Sequence, residues 1–134
     1  VMSYTVIGDA VNLGSRLEGL TKTYGVNIIV SERTVALAPG LKFRELDRVR
    51  VKGKQEPVGI YEPIAPVDEP AAQRFAEALA RYRNRDWTGA GTLVTELDAA
   101  SPHALYKLYL GRIRHFQAQP PPPDWDGVFT FDVK

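Results

Sequence analysis

The sequence predicts an α+β protein, helices on one side of a sheet, followed by a small α-helical extension. Three observations carry that expectation. Helix-spaced and β-branched segments alternate through residues 1–63 in the order helix, strand, helix, strand, strand, strand. Pro63, Pro66 and Pro70 then punctuate the chain in close succession, which marks a domain boundary and an extended linker over 64–70. Over 71–134 the apolar positions recur at spacings of three and four until the proline run 120–123.

The first helix starts near Asp9, whose carboxylate can accept from the orphan N–H groups of the first turn. Ala10, Leu13, Leu17, Leu20 and Tyr24 form its apolar stripe, and Gly25 is placed to end it in a left-handed conformation. Residues 26–30 are a β-branched run, read as a buried strand. Ser31 can cap a short helix over 32–37, which Pro39-Gly40 stops. Residues 41–46 read as a strand. Residues 48–52 alternate as another, with Val49 and Val51 on one face and Arg48, Arg50 and Lys52 on the other. Gly53 turns the chain into a partner strand over 58–61.

In the extension, Pro70 fits the first turn of a helix with Phe75, Ala78, Leu79 and Tyr82 inward. Asn84-Arg85-Asp86 breaks the pattern, and a second helix over about 87–98 turns Trp87, Ala90, Val94 and Leu97 inward. Ser101-Pro102 reads as the cap and first position of a third helix, with Leu105, Leu108, Tyr109, Ile113 and Phe116 inward. The first helix pair is similar to one tetratricopeptide-type repeat. A single unit of that kind buries little surface alone, so it should pack on another surface. Residues 124–129 read as a turn leading into a strand, which disfavours a ligand role for the polyproline run before them.

At 134 residues the chain can form one domain or two small ones. Its 44% hydrophobic and 25% charged content is that of an ordinary globular protein. A net charge of +1 supplies no field that would favour nucleic acid or an anionic membrane. With no cysteine, disulfides, thiolate zinc sites and cysteine nucleophiles are excluded. His103 and His115 are too few for a histidine metal cluster, and no apolar run approaches a membrane span. Residues 1–6 alternate like a strand already under way, so the chain is read as the C-terminal piece of a longer protein. Such a piece would expose a sheet edge and should self-associate, with its helical tail covering part of the gap.

Asn12 and Arg16 are neighbours at i and i+4 on a polar strip. Spacing alone describes either a solvated helix face or an anion-recognition pair. The whole string Tyr4-Thr5-Val6-Ile7-Gly8-Asp9-Ala10-Val11-Asn12-Leu13-Gly14-Ser15-Arg16-Leu17-Glu18 resembles the signature of the class III adenylate/guanylate cyclase catalytic domain. The resemblance continues through Ile28-Ile29-Val30-Ser31-Glu32, Phe43-Arg44-Glu45-Leu46 and Val51-Lys52-Gly53-Lys54 to Ile60-Tyr61-Glu62. It implies that residues 1–63 are the C-terminal half of a ferredoxin-like catalytic domain. Residues 75–134 are more loosely similar to the C-terminal extension of some bacterial membrane-bound cyclases. That likeness implies a cytoplasmic domain anchored by upstream segments.

The resemblance also implies a reaction and a site. ATP would be converted to 3′,5′-cyclic AMP and pyrophosphate between the two catalytic domains of a homodimer. Arg16 corresponds to the arginine that stabilises charge on the α-phosphate, and Asn12 to the asparagine that orients the ribose. Lys52 corresponds to the lysine that holds the terminal phosphates, although by itself it reads as an exposed strand cation. Thr5 falls at the purine-selecting position and favours adenine, since guanylate cyclases usually carry cysteine there. Magnesium or manganese would be held by two aspartates upstream of residue 1, and Asp9 is read as a helix cap rather than a metal ligand. Gly14 replaces the usual alanine, which weakens a helix by about 1 kcal/mol without touching the chemistry. On this reading the chain is one half of a site and is inactive alone. The alternative is a catalytically dead cyclase-homology domain, or a regulatory or protein-interaction module.

Overall fold

A computed structural model describes residues 17–51 and 56–131. In chain order these form α1 (Leu17–Tyr24), β1 (Val30–Ser31), α2 (Glu32–Leu37), β2 (Lys42–Val51) and β3 (Val58–Ile64). A 3-10 turn (Pro66–Asp68) leads to α3 (Glu69–Arg83), α4 (Trp87–Ala100), α5 (Ala104–Ala118) and β4 (Phe129–Phe131). The expected opening strand, the start of the first helix and the Gly53 turn lie outside the described residues. Four strands form one mixed sheet in the order β1-β3-β2-β4. β3 is antiparallel to both neighbours, while β4 runs parallel to β2 from Val49↔Phe129. The α+β expectation holds.

Local chemistry accounts for the element ends. Gly25 adopts φ +70° directly after α1, and the Val26 N–H donates to the Thr21 carbonyl at 3.0 Å, closing the last turn. That bond commits Val26 to the cap. The strand expected over 26–30 is therefore only Val30–Ser31, although Val26 and Ile29 are still buried. Ser31 ends it by accepting the Thr34 N–H with its side chain, as the cap of α2.

The two strands expected over 41–46 and 48–52 are one strand with a bulge. Glu45 pairs with Tyr61 and Asp47 with Ile60, which leaves Leu46 as the extra residue. The bulge shifts the alternation, so Arg44 before it and Asp47 after it both meet α5. The linker region is also more ordered than expected. β3 continues through Pro63 to Ile64, and the 3-10 turn begins after Ala65. Pro63 is tolerated because β1 reaches only Ile60 and Tyr61, so β3 lacks a β1 partner at that point.

The helical extension packs on this sheet. Tyr24, Ile29, Leu46, Val49 and Ile60 share one buried cluster with Phe75, Leu79, Tyr82, Val94, Leu105, Tyr109 and Ile113. Tyr109 sits at its centre, edge-on to Phe75 at 5.3 Å and to Tyr82 at 5.1 Å. Trp125 brings the tail back onto Tyr82 and Phe116. Arg85, at φ 66°, donates to the Pro121 carbonyl at 3.1 Å and holds the proline run against the helices. One cap differs from expectation. Ser101 closes α4, and α5 is capped by His103, whose Nδ1 accepts the Leu105 N–H at 3.0 Å. Asp98 accepts the His103 N–H at 3.0 Å, which keeps residues 101–103 out of either helix.

Two glycines should respond oppositely to alanine. At Gly25 a Cβ would meet Ala104 Cβ at 2.6 Å in a left-handed backbone, so Gly25→Ala should cost about 2–4 kcal/mol. At Gly111, inside α5, a Cβ meets nothing within 4 Å, so Gly111→Ala should stabilise by about 0.5–1 kcal/mol. Denaturant unfolding of the two variants checks both signs.

Candidate active site

Thr5, Asn12, Arg16, Lys52 and Asp9 all lie outside the described residues. The structure describes the frame next to two of them. The described part of α1 starts at Leu17, next to Arg16 in sequence, and that of β2 reaches Val51, next to Lys52. A buried polar cluster joins these two elements.

At its centre is Asp47, 1% exposed. Its Oδ2 accepts from the Tyr24 hydroxyl at 2.5 Å and from Arg112 Nη1 at 2.7 Å, while Oδ1 accepts the Arg48 N–H at 2.7 Å. Arg112 Nη2 also reaches the Tyr24 hydroxyl at 3.2 Å. The guanidinium is stacked over Phe129 at 4.0 Å and lies 5.0 Å from the Tyr109 ring. Burial and then the neighbouring Asp47 charge push the Tyr24 phenol well up, so it stays a donor at any ordinary pH. Burial pulls the Arg112 guanidinium down, but the Asp47 charge leads a set of opposing contacts that leave it raised and fully ionised. Next to the cluster, the Tyr109 hydroxyl donates to the carbonyl of the bulged Leu46 at 2.7 Å. That bond satisfies a buried acceptor which the bulge takes out of the ladder.

A second cluster lies between β2, β3 and α5. Arg44 Nε donates to Glu62 Oε2 at 2.7 Å, with Nη2 on the same oxygen, and Nη1 donates to the Tyr106 hydroxyl at 3.0 Å. His103 Nε2 lies 3.2 Å from Arg44 Nη2. Both ring nitrogens face donors, Nδ1 the Leu105 N–H and Nε2 the Arg44 guanidinium, and a neutral imidazole can accept at only one of them. The protonated ring has two donors and no acceptor, so it cannot cap Leu105. Burial, followed by the Arg44 charge, lowers the His103 pKa, against Glu62 and Asp98, which oppose that shift.

Tyr24 and Tyr109 belong to the expected apolar stripes and Arg44 and Glu62 to the strings that carry the resemblance, but the sequence marks none of these groups as a site residue. Asp47 and Arg112 sit at positions otherwise reserved for apolar residues, with Arg112 three residues after Tyr109 and seven after Leu105. Opposite charges on two apolar stripes are the signal that could have paired them. Among the described residues no group of three or more His, Asp or Glu is placed to hold a metal ion. No helix among them is long and apolar enough to cross a membrane.

Sequence comparison identifies what the chain is similar to. An adenylate cyclase of Anabaena cylindrica is 52% identical over 62 residues, 43% of this chain and 12% of that protein. Adenylate cyclase 1 of Rhizobium meliloti (strain 1021) is 40% identical over 67 residues, 49% of this chain and 10% of that protein. A terminal-differentiation-specific adenylate cyclase of Dictyostelium discoideum is 45% identical over 87 residues, 62% of this chain and 4% of that protein. No family model and no solved structure matches. The chain is related to adenylate cyclases, and the related stretch is a small part of each relative's length.

The His103 arrangement fixes a pH dependence. A histidine whose pKa is lowered on folding binds fewer protons folded than unfolded, so its contribution is complete above the unfolded value of about 6.5 and is lost as pH falls below it. His103→Asn keeps a capping acceptor without the titration. The stability difference between wild type and this variant should therefore fall as pH is lowered from about 8 to about 5. Thermal or denaturant unfolding across that range measures it, and a constant difference contradicts the assignment.

Proposed function

We propose that this chain is the C-terminal part of a class III adenylate cyclase that converts ATP to 3′,5′-cyclic AMP and pyrophosphate in signal transduction. The observation that carries the proposal is the signature string 4–18, in a chain 52% identical over 62 residues to an adenylate cyclase. In this reading Arg16 donates to the α-phosphate oxygens, where charge grows as the ribose 3′-oxygen attacks. Asn12 holds the ribose so that this oxygen is in line, Lys52 neutralises the terminal phosphates, and Thr5 contributes to the choice of adenine. Magnesium or manganese supplies further charge neutralisation, and its ligands belong to the upstream half of the catalytic domain. The complete site forms between two copies, in a homodimer whose membrane anchor lies upstream.

A catalytically dead cyclase-homology module is the second reading. Asn12 and Arg16 are both retained, which favours the active one.

The test is cyclic AMP formation by the full-length protein with ATP and magnesium or manganese. Arg16→Ala and Asn12→Ala should each lower kcat by about ten- to a thousand-fold with smaller changes in KM, since these groups bind charge that develops in the transition state. A raised KM with kcat intact would make them ground-state binders. No cyclic AMP from the folded wild type would refute the proposal. The 134-residue chain alone should give none.

A further inference from the structure

We infer that Arg112, on the helical extension, is a positioning residue for the cyclase reaction. Through Asp47 and Tyr24 it holds the helix that follows Arg16 in register with the strand that leads to Lys52. This rests on the reading of function above and adds to it a role for the extension.

Three elements meet at one carboxylate oxygen. Tyr24 ends α1, Asp47 lies in β2 and Arg112 comes from α5; Tyr24 and Arg112 reach Asp47 Oδ2 at 2.5 and 2.7 Å. Tyr24 and Arg112 are themselves 3.2 Å apart, so the three polar groups form a closed triangle. Its reach is set by regular structure. Arg16 is eight residues before Tyr24, about 12 Å if α1 continues to it, and Lys52 is five residues after Asp47, about 17 Å if β2 continues to it. At those distances the triangle does not touch substrate. It acts through the two rigid elements.

Adhesion alone is a poor account of this cluster. A buried ion pair is generally no better a stabiliser than well-packed apolar side chains of the same volume. Its distinguishing property is geometric, because an apolar contact tolerates a slip along the helix and a guanidinium held at two points, by Asp47 and by Tyr24, does not. The extension also grips the same end of β2 twice more. β4 pairs with it from Val49 onward, and Arg50 Nη2 donates to Asp126 at 2.9 Å. Phe129 of β4 covers the Arg112 guanidinium at 4.0 Å, so these contacts are continuous with the triangle.

The experiment uses the full-length protein carrying Tyr24→Phe, Arg112→Met or Arg112→Lys, with folding checked by thermal unfolding. Tyr24→Phe and Arg112→Met should lower kcat between about ten- and a hundred-fold, the scale of a small misplacement far from the chemistry, and leave KM within about two-fold. Arg112→Lys keeps the charge and should restore part of the loss. If Arg112→Met does not fold, Tyr24→Phe decides, since it removes one hydroxyl and keeps the ring. Folded variants with unchanged kcat, or a loss that follows only the folded fraction, would overturn the inference while leaving the cyclase reading intact. A folded wild type that forms no cyclic AMP would instead overturn the cyclase reading, and this inference with it.

Discussion

A carboxylate in the middle of a protein core costs several kcal/mol in lost hydration unless its oxygens are met by donors. Asp47 imposes that constraint here, and much of the architecture follows from meeting it. Its oxygens take donors from α1, from α5 and from the backbone of the next residue. None of these can move without leaving a buried charge short of a partner. The bulge at Leu46 is part of the same arrangement, because an unbroken alternation would put Asp47 on the face opposite Arg44. Tyr109 then satisfies the carbonyl that the bulge displaces. Side chains far apart in sequence are thus coupled through one oxygen and one irregular residue.

How far these features could be read in advance depends on whether their cause is local. Gly25, Ser31 and the stripe Phe75, Ala78, Leu79, Tyr82 were legible, since a left-handed turn, a cap and a helical face are each decided within a few residues. The bulge was not, because the pairing of Asp47 with Ile60 is decided by α5, more than sixty residues away. The cap of α5 was missed for a related reason. Ser101-Pro102 has the stronger local signature, but Asp98 captures the His103 N–H and moves the start by two residues. The catalytic candidates were legible only as a motif, and the side chains that brace their elements carried no motif at all.

Residues 71–134 read as a helical unit in need of a surface, and the sheet of the same chain provides it. Phe75 and Leu79 are both buried, in one cluster with Tyr109 of α5 and with Leu46 and Ile60 of the sheet. The sequence relationship points the same way. The match to the Dictyostelium cyclase covers more of this chain than residues 1–63 contain, so it extends past the cyclase signature. One buried cluster runs across Ile64 without a break.

The charges along β2 show which contacts can specify this arrangement. Lys42–Glu69 and Arg48–Glu32 are largely solvated pairs, each worth at most about 1 kcal/mol. In Arg44–Glu62 and Asp47–Arg112 the side chains are no more than 15% exposed, and Asp47 is fully buried. Removing the partner of a buried charge such as Asp47 costs about 3–5 kcal/mol. Both pairs engage α5 at points six residues apart, about 9 Å along its axis, Tyr106 meeting Arg44 and Arg112 meeting Asp47. Two fixed points on a helix determine its rotation as well as its translation, which one apolar face cannot do. The sheet and α5 consequently have a single register. Because α1 is tied to the same carboxylate, any displacement of the extension must be taken up at α1 or at the end of β2, the elements that border Arg16 and Lys52.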